Sequence, residues 1–167
     1  MLDASRLMYI HGSESDSNSG KARQFREWFP GMVTPDFTGS FEQRMSQLGS
    51  IISNTTGWTL IGSSYGGLMA TVFALDHEAQ LRKLVLLAPA LTLDPLTSIS
   101  KPGRISVPTL LIHGTSDTVV PLNPVLLIAQ QRFSHLTVNI VEDDHRLHKT
   151  ANELDWKSIL DYKVPPT

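Results

Sequence analysis

The 167-residue chain contains no cysteine. Composition alone therefore excludes disulfide staples, thiolate metal sites and a cysteine nucleophile. Charge is also scarce: charged residues make up 18% of the chain, the net charge is −2, and the 14 Lys and Arg residues are scattered. A nucleic-acid partner needs cations gathered on one face, so none is expected. No apolar run approaches the roughly 20 residues of a membrane-spanning helix. Met1 to Ile10 lacks a basic start, a long apolar segment and a cleavage site, so no signal peptide is expected and the default location is cytoplasmic. The histidines are dispersed without zinc-site spacing, and no metal or cofactor is expected. Gly20-Lys21 sits where a phosphate-binding loop would end. Ser15 and Ala22, however, stand where that loop requires a glycine and a hydroxyl residue.

What is present is an ordinary globular composition, 41% hydrophobic. One domain of this size buries about 70% of its unfolded surface, so residues 1–167 are read as a single domain. Short apolar runs at residues 6–10, 32–35, from 58 into the Gly62 turn, 84–88, 108–112 and 137–141 read as six strands. Between them lie segments of helical periodicity. Phe25, Trp28 and Phe29 mark one, and Phe41, Met45, Leu48 and Ile52 share the face of another. A third follows Ser64 and is apolar nearly all round, a fourth covers 122–133, and Thr150 to Glu153 matches a capping box opening a closing helix through Leu160. Residues 91–106 read as irregular, with room for one short helix. Strands separated by helices, without hairpin signals, predict a three-layer α/β/α sandwich around about six parallel strands.

The chemistry centres on Gly62-Ser63-Ser64-Tyr65-Gly66, a G-x-S-x-G pattern between an apolar strand and a helix. Strand and helix approach closely at such a turn, so the residues two before and two after the serine must be small. Centring the pattern on Ser63 would put Ile61 and Tyr65 in those places, which selects Ser64. A serine hydroxyl needs a base within hydrogen-bond reach and a carboxylate to orient that base. In a wound parallel sheet these come from loops at the carboxyl ends of later strands. Asp117, in the loop after His113-Gly114, is the candidate acid, and Asp94 competes with it. His145 is the candidate base because it lies nearer its strand end than His148, which stands beside the partly positive start of a helix. Asp143 and Asp144 read as solvated loop residues able to act on the neighbouring imidazole, and His11 and His113 as turn or core residues.

Four motifs in this order, His11-Gly12, Gly62 to Gly66, His113 to Asp117 and Asp144-His145, resemble those of the α/β-hydrolase superfamily over nearly the whole chain. The resemblance implies a minimal α/β-hydrolase fold without the cap and without the two strands that open larger members. It implies a Ser64, Asp117, His145 triad, with an oxyanion held by the backbone N–H groups of Tyr65 and Ser13. The expected reaction is hydrolysis of a small carboxylic ester through an acyl-enzyme on Ser64, lost on acidification as His145 takes up a proton. A thioester, an amide, or a ligand bound without catalysis are the alternatives. Glu14 and Asp16 make the entrance acidic and predict a preference for neutral or cationic substrates. Glu14, Phe37, Phe41 and Leu91 are candidate substrate-lining residues. Oligomeric state leaves no mark on the sequence.

Overall fold

The computed structural model describes residues 3–99 and 103–161. Five strands, β1 (Leu7–Ile10), β2 (Trp58–Ser63), β3 (Leu81–Leu87), β4 (Thr109–Gly114) and β5 (Leu136–Val141), form one sheet in chain order. Every pairing is parallel. Each connection must therefore cross back over a face, and helices make the crossings. The crossings hold α1 (Gly20–Trp28), α2 (Phe41–Ile52), α3 (Tyr65–His77), α4 (Asp94–Thr97) and α5 (Leu122–Arg132), and α6 (His148–Glu153) and α7 (Trp156–Ile159) follow β5.

Side-chain alternation splits the core in two. Met8, Ile10, Leu60, Leu84 and Leu86 point to the face covered by Leu48 and Ile52 of α2, Leu68 and Phe73 of α3, and Val125 and Ala129 of α5. Leu7, Tyr9, Ile61, Val85 and Leu87 point the other way, onto Ala22 and Phe25 of α1, Ala151 of α6 and Trp156 of α7. This explains why the inner strands lack an apolar and polar alternation: both of their faces are dry. It also explains α3, whose residues Gly66 to Thr71 are all buried because the helix crosses the middle of the sheet.

Two expected elements differ. The sixth strand, at residues 32–35, is reduced to one parallel bridge between Met8 and Val33. Its bonds to β1 among the described residues are Tyr9 N–H to Val33 O (3.0 Å) and Val33 N–H to Leu7 O (2.9 Å). Pro30 and Pro35 bracket the segment, and a proline has no N–H to extend a ladder. The closing helix is two short ones, and Thr150 lies inside α6 rather than at its cap. Its N–H and hydroxyl both donate to Asp143 Oδ2, at 3.0 and 2.7 Å. Asp155 caps α7 instead, accepting from Ser158 N–H at 3.1 Å. Residues 91–99 supply the short α4, and residues 100–102 lie outside the described residues.

Among the described residues no helix is long and apolar enough to cross a membrane. The face bearing α1 and α7 rests on an aromatic cluster. Phe25 lies 5.2 Å from the Tyr9 ring, 4.9 Å from Trp156 and 5.9 Å from Trp28. Phe25 is 1% exposed. Phe25→Ala is expected to cost about 3–5 kcal/mol in urea unfolding, and Phe25→Leu less than half of that.

Candidate active site

Because all five strands run the same way, their carboxyl ends share one edge of the sheet. The exits of β1, β2, β4 and β5 bring His11 to Ser13, Ser64, Asp117 and His145 to that edge. Ser64 has φ 54° and ψ −111°, a left-handed backbone that costs a non-glycine residue about 1–3 kcal/mol. The surroundings hold it there. Ser64 N–H donates to Leu87 O at 2.9 Å, and Ser64 O accepts from Gly67 and Ala90 N–H, each at 3.0 Å. The flanking glycines permit the approach: a Cβ on Gly62 would stand 2.7 Å from Gly67 Cα, and one on Gly66 would stand 2.6 Å from the Ile10 carbonyl carbon. The two serines diverge. The Ser63 hydroxyl meets buried Tyr9, whose phenol burial pushes up to about 12 despite that hydrogen bond. The Ser64 hydroxyl lies 3.0 Å from His145 Nε2.

His145 Nδ1 lies 2.7 Å from Asp117 Oδ2. An ionised carboxylate can only accept, so Nδ1 carries the proton and Nε2 presents its lone pair to the Ser64 hydroxyl. Asp117 has no exposed side-chain surface. Burial pushes its carboxyl up, but Val120 N–H (2.8 Å), His145 and Val119 N–H (2.9 Å) outweigh that and hold it below the ordinary carboxylate range. The Asp117 turn is thus more than a helix cap.

His113 was not expected at this site. It is fully buried, and its Nε2 lies 2.9 Å from Val120 O and 3.2 Å from Asp117 Oδ2. The carbonyl can only accept, so Nε2 is the protonated nitrogen and its N–H goes to Val120 O, while Oδ2 accepts from His145 with the His113 ring packed beside it. The His145 loop is clamped from three directions. Asp143 O accepts from Ser116 N–H at 3.0 Å, Asp143 Oδ2 holds Thr150, and Lys21 of α1 donates to Arg146 O. Burial pushes the Asp143 carboxyl up, but its Thr150 and Asp144 hydrogen bonds bring it below the ordinary value. Asp143 is therefore a strut of the loop, where sequence alone suggested a solvated residue. No local pattern marks Lys21, His113 or Asp143 for these contacts. Each partner lies on another loop.

Of the two amides named for an oxyanion, that of Tyr65 directly follows Ser64, and that of Ser13 directly follows Gly12, which stands against Ser64. Tyr65 opens α3, so its N–H has no acceptor within the helix. Gly12 approaches Ser64 so closely that a Cβ on it would lie 3.6 Å from Ser64 Cβ. His11 fixes the next peptide: its Nδ1 donates to Gly12 O at 2.7 Å, while its Nε2 accepts from Phe37 N–H at 2.9 Å. With Gly12 O so engaged, the Ser13 N–H of the same planar peptide points the opposite way. Of the lining candidates, Glu14 is exposed and Phe41 is half-buried, its ring 5.7 Å from Tyr65. Phe37 and Leu91, at 1% and 0% exposure, belong to the core instead. Asp94 and His148 are exposed at the starts of α4 and α6, outside this hydrogen-bonded line. Among the described residues no cluster of His, Asp or Glu is placed to hold a metal.

A family model described as "Serine hydrolase (FSH1)" matches residues 3–154. No curated protein matches the chain by sequence. Among solved structures, alpha/beta hydrolase domain-containing protein 10 from mouse superposes with a TM-score of 0.77 at 18% identity, over 93% of this chain and 88% of that one. A hydrolase of the alpha/beta superfamily from Xanthomonas campestris gives 0.70 at 25% identity, over 90% and 92%. Est1E from Butyrivibrio proteoclasticus gives 0.72 at 15%, over 92% and 86%.

The strain at residue 64 is measurable: Ser64→Gly is expected to raise the unfolding free energy by about 1 kcal/mol, the left-handed strain less glycine's extra chain entropy. Asp117 gives a pH signature. A carboxyl held below its ordinary pKa stabilises the fold fully above that value, 3.8, and ceases to do so as pH falls through the lower folded value. Wild type should therefore exceed Asp117→Asn by about 1.5–3 kcal/mol at neutral pH. In urea unfolding at stepped pH, that gap should close only below 3.8.

Proposed function

Since the chain belongs to the FSH1 serine hydrolase family within the α/β-hydrolase superfamily, we propose that it is a carboxylesterase-type enzyme acting through an acyl-enzyme on Ser64. The observation that carries the reading is the unbroken line from Asp117 Oδ2 through His145 to Ser64 Oγ, at 2.7 and 3.0 Å. In the first half-reaction Ser64 Oγ bonds to the ester carbonyl carbon and its proton passes to His145 Nε2. The bond to the leaving oxygen then breaks, and the same proton goes to the departing alcohol. In the second half a water attacks the acyl carbon, His145 takes its proton, and Ser64 recovers it as the acid leaves. Asp117 keeps the imidazole in the tautomer that can accept and stabilises the imidazolium.

The negative oxygen formed in each half would meet the N–H groups of Tyr65 and Ser13. Tyr65 begins a 13-residue helix, whose partly positive end adds to the amide. Losing one such donor typically costs about 3 kcal/mol in the transition state. Thioesters and amides would use the same acyl-enzyme. The proposed setting is the cytoplasm, with a small-molecule ester as partner and no cofactor.

A fluorophosphonate probe should label wild type stoichiometrically at Ser64 and leave folded Ser64→Ala unlabelled. A folded wild type that resists labelling would make the protein a binder. In a screen of esters, thioesters and amides with matched acyl chains, esters should be turned over fastest, and Ser64→Ala should lose at least about 10⁴-fold in kcat.

A further inference from the structure

Three buried polar side-chain atoms lack a hydrogen-bond partner among the described residues: Thr59 Oγ1, His113 Nδ1 and Arg44 Nη1. Two are neutral, whereas the third belongs to a guanidinium that never loses its charge. Arg44 is 9% exposed, an unusual burial for a cation, and no carboxylate of the described residues pairs with it. A buried charge without a counter-ion is among the costlier things a fold can contain, and removing it from water is repaid only when an opposite charge arrives.

The cation is also held in place. A capping box fixes the start of α2, with Ser40 and Gln43 exchanging backbone and side-chain hydrogen bonds at 3.1 and 2.8 Å. Arg44 Nε donates to Gly39 O at 3.1 Å, and Gln47 binds both backbone groups of Thr38, at 3.1 and 2.9 Å. The guanidinium lies over the Tyr65 ring, with Cζ 5.5 Å from its centroid. Tyr65 and Phe41, whose rings meet edge to face, are both half-buried. Tyr65 links this patch to the Ser64 turn, since it is the next residue and supplies the amide assigned to the oxyanion. Stacking on one ring and bonding one carbonyl leaves the Nη1 end of the fork unused, the end suited to a carboxylate.

We propose that Arg44 is the receptor for a carboxylate carried by the substrate, so that the preferred substrates of the Ser64 site are half-esters of dicarboxylic acids. This rests on the hydrolase reading above and specifies its substrate class. It also reverses the preference that Glu14 and Asp16 suggested. Glu14 and Asp16 are exposed and screened by solvent, and Asp16 already accepts from Asn18 N–H at 2.7 Å. A buried, unneutralised guanidinium outweighs them.

The test compares monomethyl with dimethyl esters of succinate, glutarate and adipate, following methanol release. At the best chain length wild type should favour the monoester in kcat/KM by about tenfold to a hundredfold, the usual worth of one charge-assisted hydrogen-bonded pair. In Arg44→Gln the ratio within the variant should fall to about one or below, and Arg44→Lys should keep part of it. A wild-type ratio of one or less at all three lengths overturns the proposal, as does a ratio that persists in folded Arg44→Gln. Should that variant not fold, glutarate must inhibit dimethyl ester hydrolysis by wild type more strongly than glutaramide does, and equal inhibition sinks the idea. Failure of the hydrolase reading looks different: no ester is cleaved and Ser64 resists the fluorophosphonate. Calorimetric titration of wild type with glutarate then decides the Arg44 assignment alone, for or against.

Discussion

One left-handed residue at the end of β2 sets the conditions for everything above the sheet. Ser64 cannot relax to an ordinary backbone without breaking its bonds to Leu87, Gly67 and Ala90, which tie three successive segments together. The sharp turn allows α3 to start over the end of β1, so close that only hydrogen fits on the α-carbons of Gly62 and Gly66. In return the Ser64 hydroxyl stands clear of the sheet while the Tyr65 amide lies at a helix start. Strain of about 1–3 kcal/mol is thus the cost of putting an alcohol and a hydrogen-bond donor side by side. The buried α3 supplies packing well beyond that.

The groups opposite Ser64 depend on longer-range work. β4 and β5 are adjacent, with Gly114 paired to Val141, so the loops bearing Asp117 and His145 leave the sheet as neighbours. Proximity alone would leave two mobile loops. Ser116 bonds the Asp143 carbonyl, Asp143 bonds Thr150, and Lys21 reaches across 125 residues to the Arg146 carbonyl. Asp117 is surrounded by N–H donors, which keeps a fully buried carboxyl ionised. An imidazole held this way has one tautomer and one orientation, which is what proton transfer from a neutral hydroxyl requires.

How much of this was legible in the sequence follows from how local each signal is. The elbow was legible because its steric demand falls within five consecutive residues, and Ser64 over Ser63 followed from it. That Asp117 and His145 would meet near Ser64 was legible because a parallel sheet sends every strand end to one edge. Leu84 to Leu87 announced a strand dry on both faces. By contrast, β pairing at Val33 needs more free N–H groups than the prolines around it leave, and a count of apolar runs cannot weigh that. Thr150 matched a cap motif but bonds a carboxylate seven residues upstream, a tertiary contact that overrides a local pattern. His113 and Lys21 were invisible for the same reason. His113 looked like any turn histidine until β4 curled its own loop back so that Val120 O and Asp117 met one imidazole.

Arg44 shows the remaining limit most clearly. In the sequence it is one cation on an amphipathic helix, where solvation is the ordinary fate of a charge, while the acids near Ser13 look like the charges that matter. Folding inverts their weights. Glu14 and Asp16 end in water, where a charge acts through a high dielectric and loses its influence within about 10 Å. Arg44 is drawn under the loop that His11 pins through Phe37 N–H, against the ring of the residue after Ser64. The interaction that fixes the Ser13 peptide, His11 bridging Gly12 and Phe37, therefore also fixes the wall that holds the cation. The proposed acyl chemistry and the proposed charge selection share one scaffold, and a substrate carboxylate would complete an electrostatic balance that the fold by itself leaves open.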